Sequence, residues 1–519
     1  MSETHRGRTH RVIRTTATMK HYSAILGGTA LALLMVTPLS AQRVVDLTLE
    51  SAVEMAMDDS YQVRRVRLDI LRTRKELEAE RAGLKSNVSM DFNLPQFEQI
   101  SQQRWNSTLQ RNEIIGENSR RWQIDFTIEQ PLILMGYPTN GFLSLNNRVY
   151  RYTQIEEEEH DLTYYNRYFI RYRQPLFQPN ALKNNLEQAE LNLQQSELDF
   201  QDDAIGIIED VTEDYYELFE GGYEIEMAEQ LVENLQEALS AAEARAVADP
   251  GRVIEISQVQ VALSNAQSEV QEAQSNYRIQ SSRIKPNLGL EPSDSIVIDL
   301  GLLQLEPMAV DIARAIELGV TLRPQLRQLA IQRRENEIRL STVKGRDAFR
   351  LNVELTYGRE MQDPSFDGLW SDPRNSYTVG VSGTLPIWDW GERRARVEAQ
   401  EIVLQRTDLS IEQTREEIEI GIRNTVANLE EYQRRAESME QNLVLAQDVS
   451  ARSLEQYQAG VITVLDLLQS YERENDTAQN FLEAYMGYRN ALLTLQGMTY
   501  FDFETQVPVL ERYGVEGAG

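Results

Sequence analysis

The sequence predicts a mainly α chain with interleaved β segments, exported from the cytoplasm and built as an internal duplication. Three observations carry this. A leader stands at the N-terminus, the helical segments are several times the ordinary length, and short segments alternate apolar and polar residues with period two.

The leader comes first. Arg6, Arg8, Arg11, Arg14 and Lys20 outweigh Glu3 ahead of a 13-residue apolar run, AILGGTALALLMV (24–36), followed by Pro38 and the small pair Ser40-Ala41. A run of that length is too short to span a bilayer as a helix and has the flanks of a secretory signal. Residues 1–41 are therefore read as a signal peptide cleaved after Ala41, with Met19 as an alternative start because MKHYSAILGG is a usual signal opening. No later segment approaches 18 consecutive apolar residues, so no spanning helix is expected.

The composition narrows the function. The 519 residues hold 81 acidic against 52 basic side chains, a net charge of −29, and no cysteine. Removing the five basic residues and one acid of the leader takes the mature chain to about −33. Nucleic acid is excluded as a partner, because phosphate binding needs a basic face. The acidity fits a solvated surface and a cation-attracting field equally well. Without cysteine there is no disulfide, thiolate site or lipid-modified N-terminal Cys. The mature chain has one histidine, His160, in a polar stretch, and no triad, zinc or P-loop spacing. Acidic pairs such as Asp202-Asp203 and Glu416-Glu417 fall on helical surfaces. No enzyme and no cofactor or metal site is expected.

Beyond the leader the plan runs twice. The first repeat, 42–300, opens with a helix over 46–86 and continues through an aromatic, Asn-, Gly- and Pro-rich stretch (87–179) into long helices over 180–285, broken at VADPGRV (247–253). A connector (286–307) carries one short strand-like piece, Ser295 to Leu300. The second repeat, 301–500, has a helix over 308–345, strands over 349–386 and long helices over 391–496, broken at QAGV (458–461). Residues 501–519 form a tail. QPLF (174–177) matches LPIW (385–388) and Gly251 matches Gly460, at offsets of 211 and 209, so the register is nearly kept.

The uninterrupted helices are about 67 residues each, roughly 100 Å at about 1.5 Å per residue. Val397, Leu404, Ile411 and Ile418 recur by sevens, as do Ile422, Leu429 and Leu443. A sustained repeat of seven means coiled-coil packing. Two stripes per helix point to neighbours on two sides, as in a closed ring, although a plain antiparallel coiled coil has the same periodicity.

The β segments alternate cleanly. Val88, Met90, Phe92 and Leu94 interleave with Ser89, Asp91 and Asn93, and Trp122, Ile124, Phe126 and Ile128 with Gln123, Asp125 and Thr127. Tyr168, Ile170 and Tyr172 do the same, as do Leu351, Val353, Leu355 and Tyr357, and Tyr377, Val379 and Val381. In an exported chain this fits an outer-membrane barrel, apolar residues to lipid and polar residues to a wet lumen. A small soluble sandwich capping a coiled coil fits the same pattern. Tyr150, Tyr152, Tyr164, Tyr165, Tyr168 and Tyr172 read as an interfacial aromatic girdle.

Over about 46–500 this plan resembles the TolC family of outer-membrane efflux proteins. LPIWDWGERRARVEAQ (385–400) is similar to the family's strand exit, in which Pro386 ends a strand and Asp389 and Gly391 form an Asp-x-Gly turn into the long helix. QPLFQPNALKNNLEQAE (174–190), with Pro175, is its first-repeat partner, and YQAGVITVLDLLQSYERE (457–474) is similar to the periplasmic tip turn. The resemblance implies a homotrimer in outer-membrane lipid. Each chain would give about four strands to a shared twelve-stranded barrel, continuous with a periplasmic coiled-coil tunnel. It implies a passive exit duct joined to a periplasmic adaptor and an inner-membrane transporter, with drugs, metal ions and polypeptides all open as cargo. Other readings of the helices are a periplasmic adaptor, which the duplicated hairpin opposes, and a structural envelope coiled coil.

By the same resemblance Gly460 and Gly251 mark tip turns, Asp466 ranks as the first acid of an aperture ring, and Tyr457 as a latch. Gln469 stands where a second acid belongs, and Ile462 where a basic partner belongs. Asp466 also reads as a helix N-terminal acid favoured by the macrodipole, and Tyr457 as packing. Symmetry between the repeats leads us to expect 88–94 and 166–175 as the membrane strands of the first repeat. Within an insertion over 95–165, segments 121–130 and 142–152 would form a hairpin outside the membrane.

Overall fold

The computed structural model describes residues 43–155, 160–300, 303, 305–346 and 348–515. The signal peptide and its cleavage site lie outside them. From Val44 on, the chain runs β1 (Val44–Leu47), α1 (Leu49–Asp59), α2 (Tyr61–Gly83), β2 (Asn87–Asn106), β3 (Arg111–Leu134), β4 (Tyr137–Ile155), β5 (His160–Leu176), α3 (Ala181–Ala248), α4 (Val253–Ile284) and β6 (Ser295–Ile298). The second half gives α5 (Ile312–Leu322), α6 (Gln325–Arg346), β7 (Arg350–Asp363), β8 (Arg374–Thr384), α7 (Glu392–Gln458) and α8 (Val464–Thr499). The tail follows as β9 (Phe501–Asp502), β10 (Val507–Pro508) and α9 (Val509–Arg512).

The helices α3 and α7 contain 68 and 67 residues. On α7 the residues buried within the chain recur by sevens from Ile422 through Leu429, Ala436, Leu443 and Ser450 to Tyr457. This is the coiled-coil repeat carried down to the helix end, each buried Leu or Ile contributing about 1.5–3 kcal/mol. The other faces of these helices leave Ile402, Leu409, Ile420 and Val444 exposed. Among the described residues no helix is long and apolar enough to cross a membrane.

The main core lies midway along the helices. Ile205, Ile208, Val211, Tyr215 and Phe219 of α3 meet Ala52, Val53 and Ala56 of α1 and Phe481 and Tyr485 of α8. Here β1 pairs in parallel with β6, Val44 opposite Ser295. The tail packs into the same core: Val509 is buried, and Arg512 bridges the fully buried Asp502 and Glu50 of α1 (3.0 Å to Glu50).

Six strands form one antiparallel sheet in the order β2-β3-β4-β5-β7-β8. The expected pairing of 121–130 with 142–152 is present, and it lies within this sheet. Segments 121–130 and 142–152 are the middles of β3 and β4, paired with each other and bonded between β2 and β5. The two repeats contribute unequally, the first supplying four strands of the sheet and the second two. A projecting hairpin is built from other residues. β3 meets β4 only up to Asn118 opposite Ile155, whereas β2 and β3 pair on to Asn106 opposite Arg111. Ladder pairing satisfies the backbone groups of β3 and β4 on both sides wherever both neighbours are present.

Candidate functional site: a membrane belt and a helical tip

Directly opposed residues in a ladder share a face. One row therefore runs Val88, Ile128, Leu145, Ile170, Tyr357, Tyr377 across all six strands. The rows beside it add Met90, Phe126, Leu143, Tyr172, Leu355 and Val379 to the same face. Most of these side chains stand open to the surroundings, up to Tyr377 at 79%, with Ile128 and Tyr172 half-buried. Asn147 and Asn166 interrupt the belt and are joined by one bond, Nδ2 of Asn147 donating to Oδ1 of Asn166 at 2.8 Å, which leaves the buried Asn166 Nδ2 without a partner among the described residues.

The opposite face is polar. Its rows include Ser89, Thr127 and Asn146, then Ser144, Arg171, Thr356 and Thr378. Arg167 pairs with Glu360 at 3.0 Å and Arg171 with Glu354 at 3.2 Å, and both guanidinium groups lie over the buried Phe169 ring. Period-two alternation thus separates an apolar surface from a charged one across a single sheet. The expected tyrosine girdle divides between them. Tyr164, Tyr168 and Tyr172 share the apolar face, while Tyr150, Tyr152 and Tyr165 lie on the polar one, Tyr150 stacked on Tyr165 at 4.5 Å. Two alternating strands in register place consecutive tyrosines on opposite faces, so clustering in sequence is not clustering in space.

Where strands give way to helices, an aromatic collar faces outward. Trp388 and Trp390 meet edge to face at 5.5 Å, and Phe177 meets Phe349 at 5.6 Å. Trp390 is 90% exposed. Amphipathic rings in such a position suit a membrane–water interface. The turn beneath is built by Asp389, whose carboxylate accepts from the N–H of Gly391 (3.0 Å) and of Arg393 (3.1 Å). Those bonds hold its carboxyl below the usual range. Gly391 caps α7 at φ 87°, a conformation glycine adopts freely. Pro386 lies just past the end of β8. Pro175 lies within β5, opposite Asn352, and the first-repeat turn falls instead at Phe177 (φ 59°) and Asn180, whose side chain accepts from the Lys183 N–H at 3.1 Å.

At the far end of the helices the two tip turns differ. Gly460 adopts φ 79° and ends α7 in a Schellman motif, its N–H reaching Tyr457 O at 3.0 Å and that of Val461 reaching Gln456 O at 2.9 Å. Gly251 has no positive φ; it lies in a short 3₁₀ turn, Pro250–Arg252, held by Asp249, which accepts from its N–H at 3.1 Å.

Tyr457 is fully buried and ties the turns together. Its hydroxyl donates to Glu255 Oε2 at 2.8 Å, and its backbone carbonyl accepts from Arg245 Nη1 at 2.7 Å. The Arg245 guanidinium also lies 4.4 Å from the centre of the Tyr457 ring. Burial and the Glu255 carboxylate push the Tyr457 hydroxyl up to about 12. Arg245 and Glu255 escaped the sequence reading, which sought a basic partner at Ile462. The available signal was Arg245 as the basic residue in the last turn of α3.

Asp466 is exposed at the third position of α8. It closes a capping box with Thr463, its Oδ2 accepting from Thr463 N (3.0 Å) and Oγ1 (2.7 Å). Those bonds hold its carboxyl below the usual range. Gln469, one turn on, is exposed on the same face, as are Arg473 and Asp476, while Val464, Leu467 and Tyr471 of the other face are buried.

Residues 165–290 and 320–499 match the family described as outer membrane efflux protein, more than half of the chain. The chain belongs to that family. A search of curated proteins returns no match. Among solved structures the fold is similar to CusC at 14% identity, over 88% of this chain and 92% of that one, with a TM-score of 0.63. It is similar to the CmeC outer membrane channel of Campylobacter jejuni at 12% identity, over 90% and 89%, and to the outer membrane protein VceC of Vibrio cholerae at 12%, over 88% and 96%, each with a TM-score of 0.63.

Proposed function

We propose that this family member is a passive exit duct through the outer membrane, assembled as a homotrimer and joined to a periplasmic adaptor and an inner-membrane transporter. The observation that carries this reading is the row Val88–Ile128–Leu145–Ile170–Tyr357–Tyr377, an apolar belt six strands wide on a sheet whose other face is charged. A lipid-facing band backed by a wet lumen has this arrangement. The long helices leave the same end of the sheet past the aromatic collar and reach about 100 Å into the periplasm. Their exposed apolar positions, such as Ile402 and Leu409, supply the seams on which neighbouring copies pack. No proton or electron has to move: the duct works by lining a path and by opening or closing it. The tip is the closing point, where Tyr457 holds the two helix turns of one chain together, and Asp466 and Gln469 face the axis.

Membrane fractionation followed by planar-bilayer recording tests this. Heat-stable trimers in the outer-membrane fraction that conduct ions are expected. A protein that washes from membranes as a soluble coiled coil, or that inserts without conductance, overturns the proposal.

A further inference from the structure

We propose that three copies of this chain close an eighteen-stranded barrel, β8 of one copy pairing with β2 of the next. The inference rests on the trimeric duct proposed above and specifies its partner surface.

The sheet has two free edges, β2 and β8, and six strands between and including them. In a bilayer no water satisfies an edge, so edges must be paired or closed. The apolar belt runs undiminished to both edges: Val88, Met90 and Phe92 are 58–68% exposed on β2, and Tyr377, Val379 and Val381 are 64–79% exposed on β8. Were β2 and β3 to stand outside the membrane, Val88, Met90, Phe92, Ile124, Phe126 and Ile128 would form an apolar face in water with nothing to cover it. β8 contains 11 residues, enough to cross as a tilted strand. On β2 the pairing segment is the part before Pro95, which sits at the register break between Asn93 and Gln96, where a missing N–H costs no ladder bond. The rows are staggered as closure requires, since the row that starts at the foot of β2 ends at Tyr377, near the upper end of β8. The family match begins at residue 165, within β5, so β2, β3 and β4 all precede the matched part of the chain. Three six-stranded sheets give eighteen strands. Barrels of about that size enclose an aqueous channel rather than a filled core.

Because the chain has no cysteine, introduced pairs are its only thiols. Val379→Cys on β8 is combined in turn with Val88→Cys, Met90→Cys and Phe92→Cys on β2, and separately with Leu145→Cys, Asn147→Cys and Val149→Cys on β4. At least one β8–β2 pair is expected to form reducible dimer and trimer bands, and no β8–β4 pair should, since disulfides need Cα atoms within about 7 Å. Conductance after reduction confirms that each variant folds. Amide exchange on the unmodified trimer gives a second readout. Both alternate sets of N–H groups over residues 88–93 are expected to be slow, because both sides of β2 are paired. Linking through β4, or conducting trimers in which no β8–β2 pair links and alternate β2 amides exchange quickly, overturns the eighteen-stranded closure and leaves the duct standing. Loss of trimers and conductance in the unmodified protein sinks the duct reading instead.

Discussion

The two repeats share a plan and diverge at both ends of it. In the sheet the first repeat supplies four strands and the second two. At the tip the first turns through a 3₁₀ segment held by Asp249, and the second through a positive-φ glycine in a Schellman motif. Their helices still share the central core and the tip cluster, and Tyr457 of the second repeat is gripped by Arg245 and Glu255 of the first. The long helices are alike in the two repeats, 68 and 67 residues, while strand number and turn geometry differ. The unlike turns also make the tip asymmetric, with a donor and an acceptor from one repeat closing on a single residue of the other.

The sharpest way to break this comparison is to charge the belt in one repeat at a time. Leu145→Arg on β4 and Leu355→Arg on β7 place a guanidinium on the same apolar face. Near mid-membrane each costs about 2–4 kcal/mol. Both variants are expected to deplete assembled trimers from the outer-membrane fraction, whereas Thr378→Arg on the polar face of β8 leaves assembly intact. Tolerance of Leu145→Arg beside loss with Leu355→Arg would show that the two repeats do not share the membrane.

The next effect concerns the grip at the tip. Arg245→Ala removes a charge-assisted bond and a cation–π contact, and Tyr457→Phe removes the hydroxyl bond to Glu255. A hydrogen bond to a charged group contributes about 1.5–3 kcal/mol, so each variant shifts the closed–open balance roughly 10- to 100-fold. Resting single-channel conductance or open probability is expected to rise, more for Arg245→Ala. With the hydroxyl pushed up to about 12, Tyr457 keeps its proton below that pH. Alkaline titration below it should not open the tip through this bond, and unchanged resting currents in both variants would remove Tyr457 from the closing role.

A smaller effect is a pH dependence in the central core. Burial, with Asp210 adding to it, pushes Glu209 up to about 7. The Glu209 carboxyl lies against Gly497, where a Cβ would come within 1.4 Å of it. The folded chain holds this proton while the unfolded chain releases it near 4.5, so stability falls as pH rises between those values. Glu209→Gln is expected to resist denaturant better than the parent at pH 8 and to match it near pH 4.5. Equal midpoints at pH 8 would show that the carboxylate is already compensated.

The helices were legible because heptads and Gly or Asn stops are local signals: the stripe from Ile422 to Tyr457 and the break at Gly460 stand in the sequence. The Asp389–Gly391 turn was legible for the same reason. Most strand partners were not, since alternation gives the face of each strand but not its neighbour, although 121–130 and 142–152 were expected to pair and do. Arg245 and Glu255 lie more than 200 residues from Tyr457, and no spacing rule connects a helix end in one repeat to a tyrosine in the other. Asp466 was legible as both an aperture acid and a helix-start acid, and the chain shows the second geometry directly.

That dual position permits a final test that separates charge from cap. Thr463 and Asp466 hold each other's backbone at the start of α8, and the bonds from Thr463 keep the carboxyl ionised to lower pH than a free one. A ring of three such groups on one axis pushes the other way, since like charges disfavour ionisation. The two influences oppose, so the ring stays charged over more of the acid range than like-charge repulsion alone allows. Asp466→Asn removes the charge and keeps a polar side chain at the cap, whereas Thr463→Val removes the cap and keeps the charge. If Asp466 lines the aperture, Asp466→Asn lowers cation selectivity and relieves block by trivalent cations, with trimers intact. Thr463→Val then leaves selectivity in place and loosens only the helix start, seen as faster amide exchange over Val464–Leu467. Equal loss of selectivity in both variants would mean that Asp466 acts through the shape of the turn, and its place at the aperture would fall.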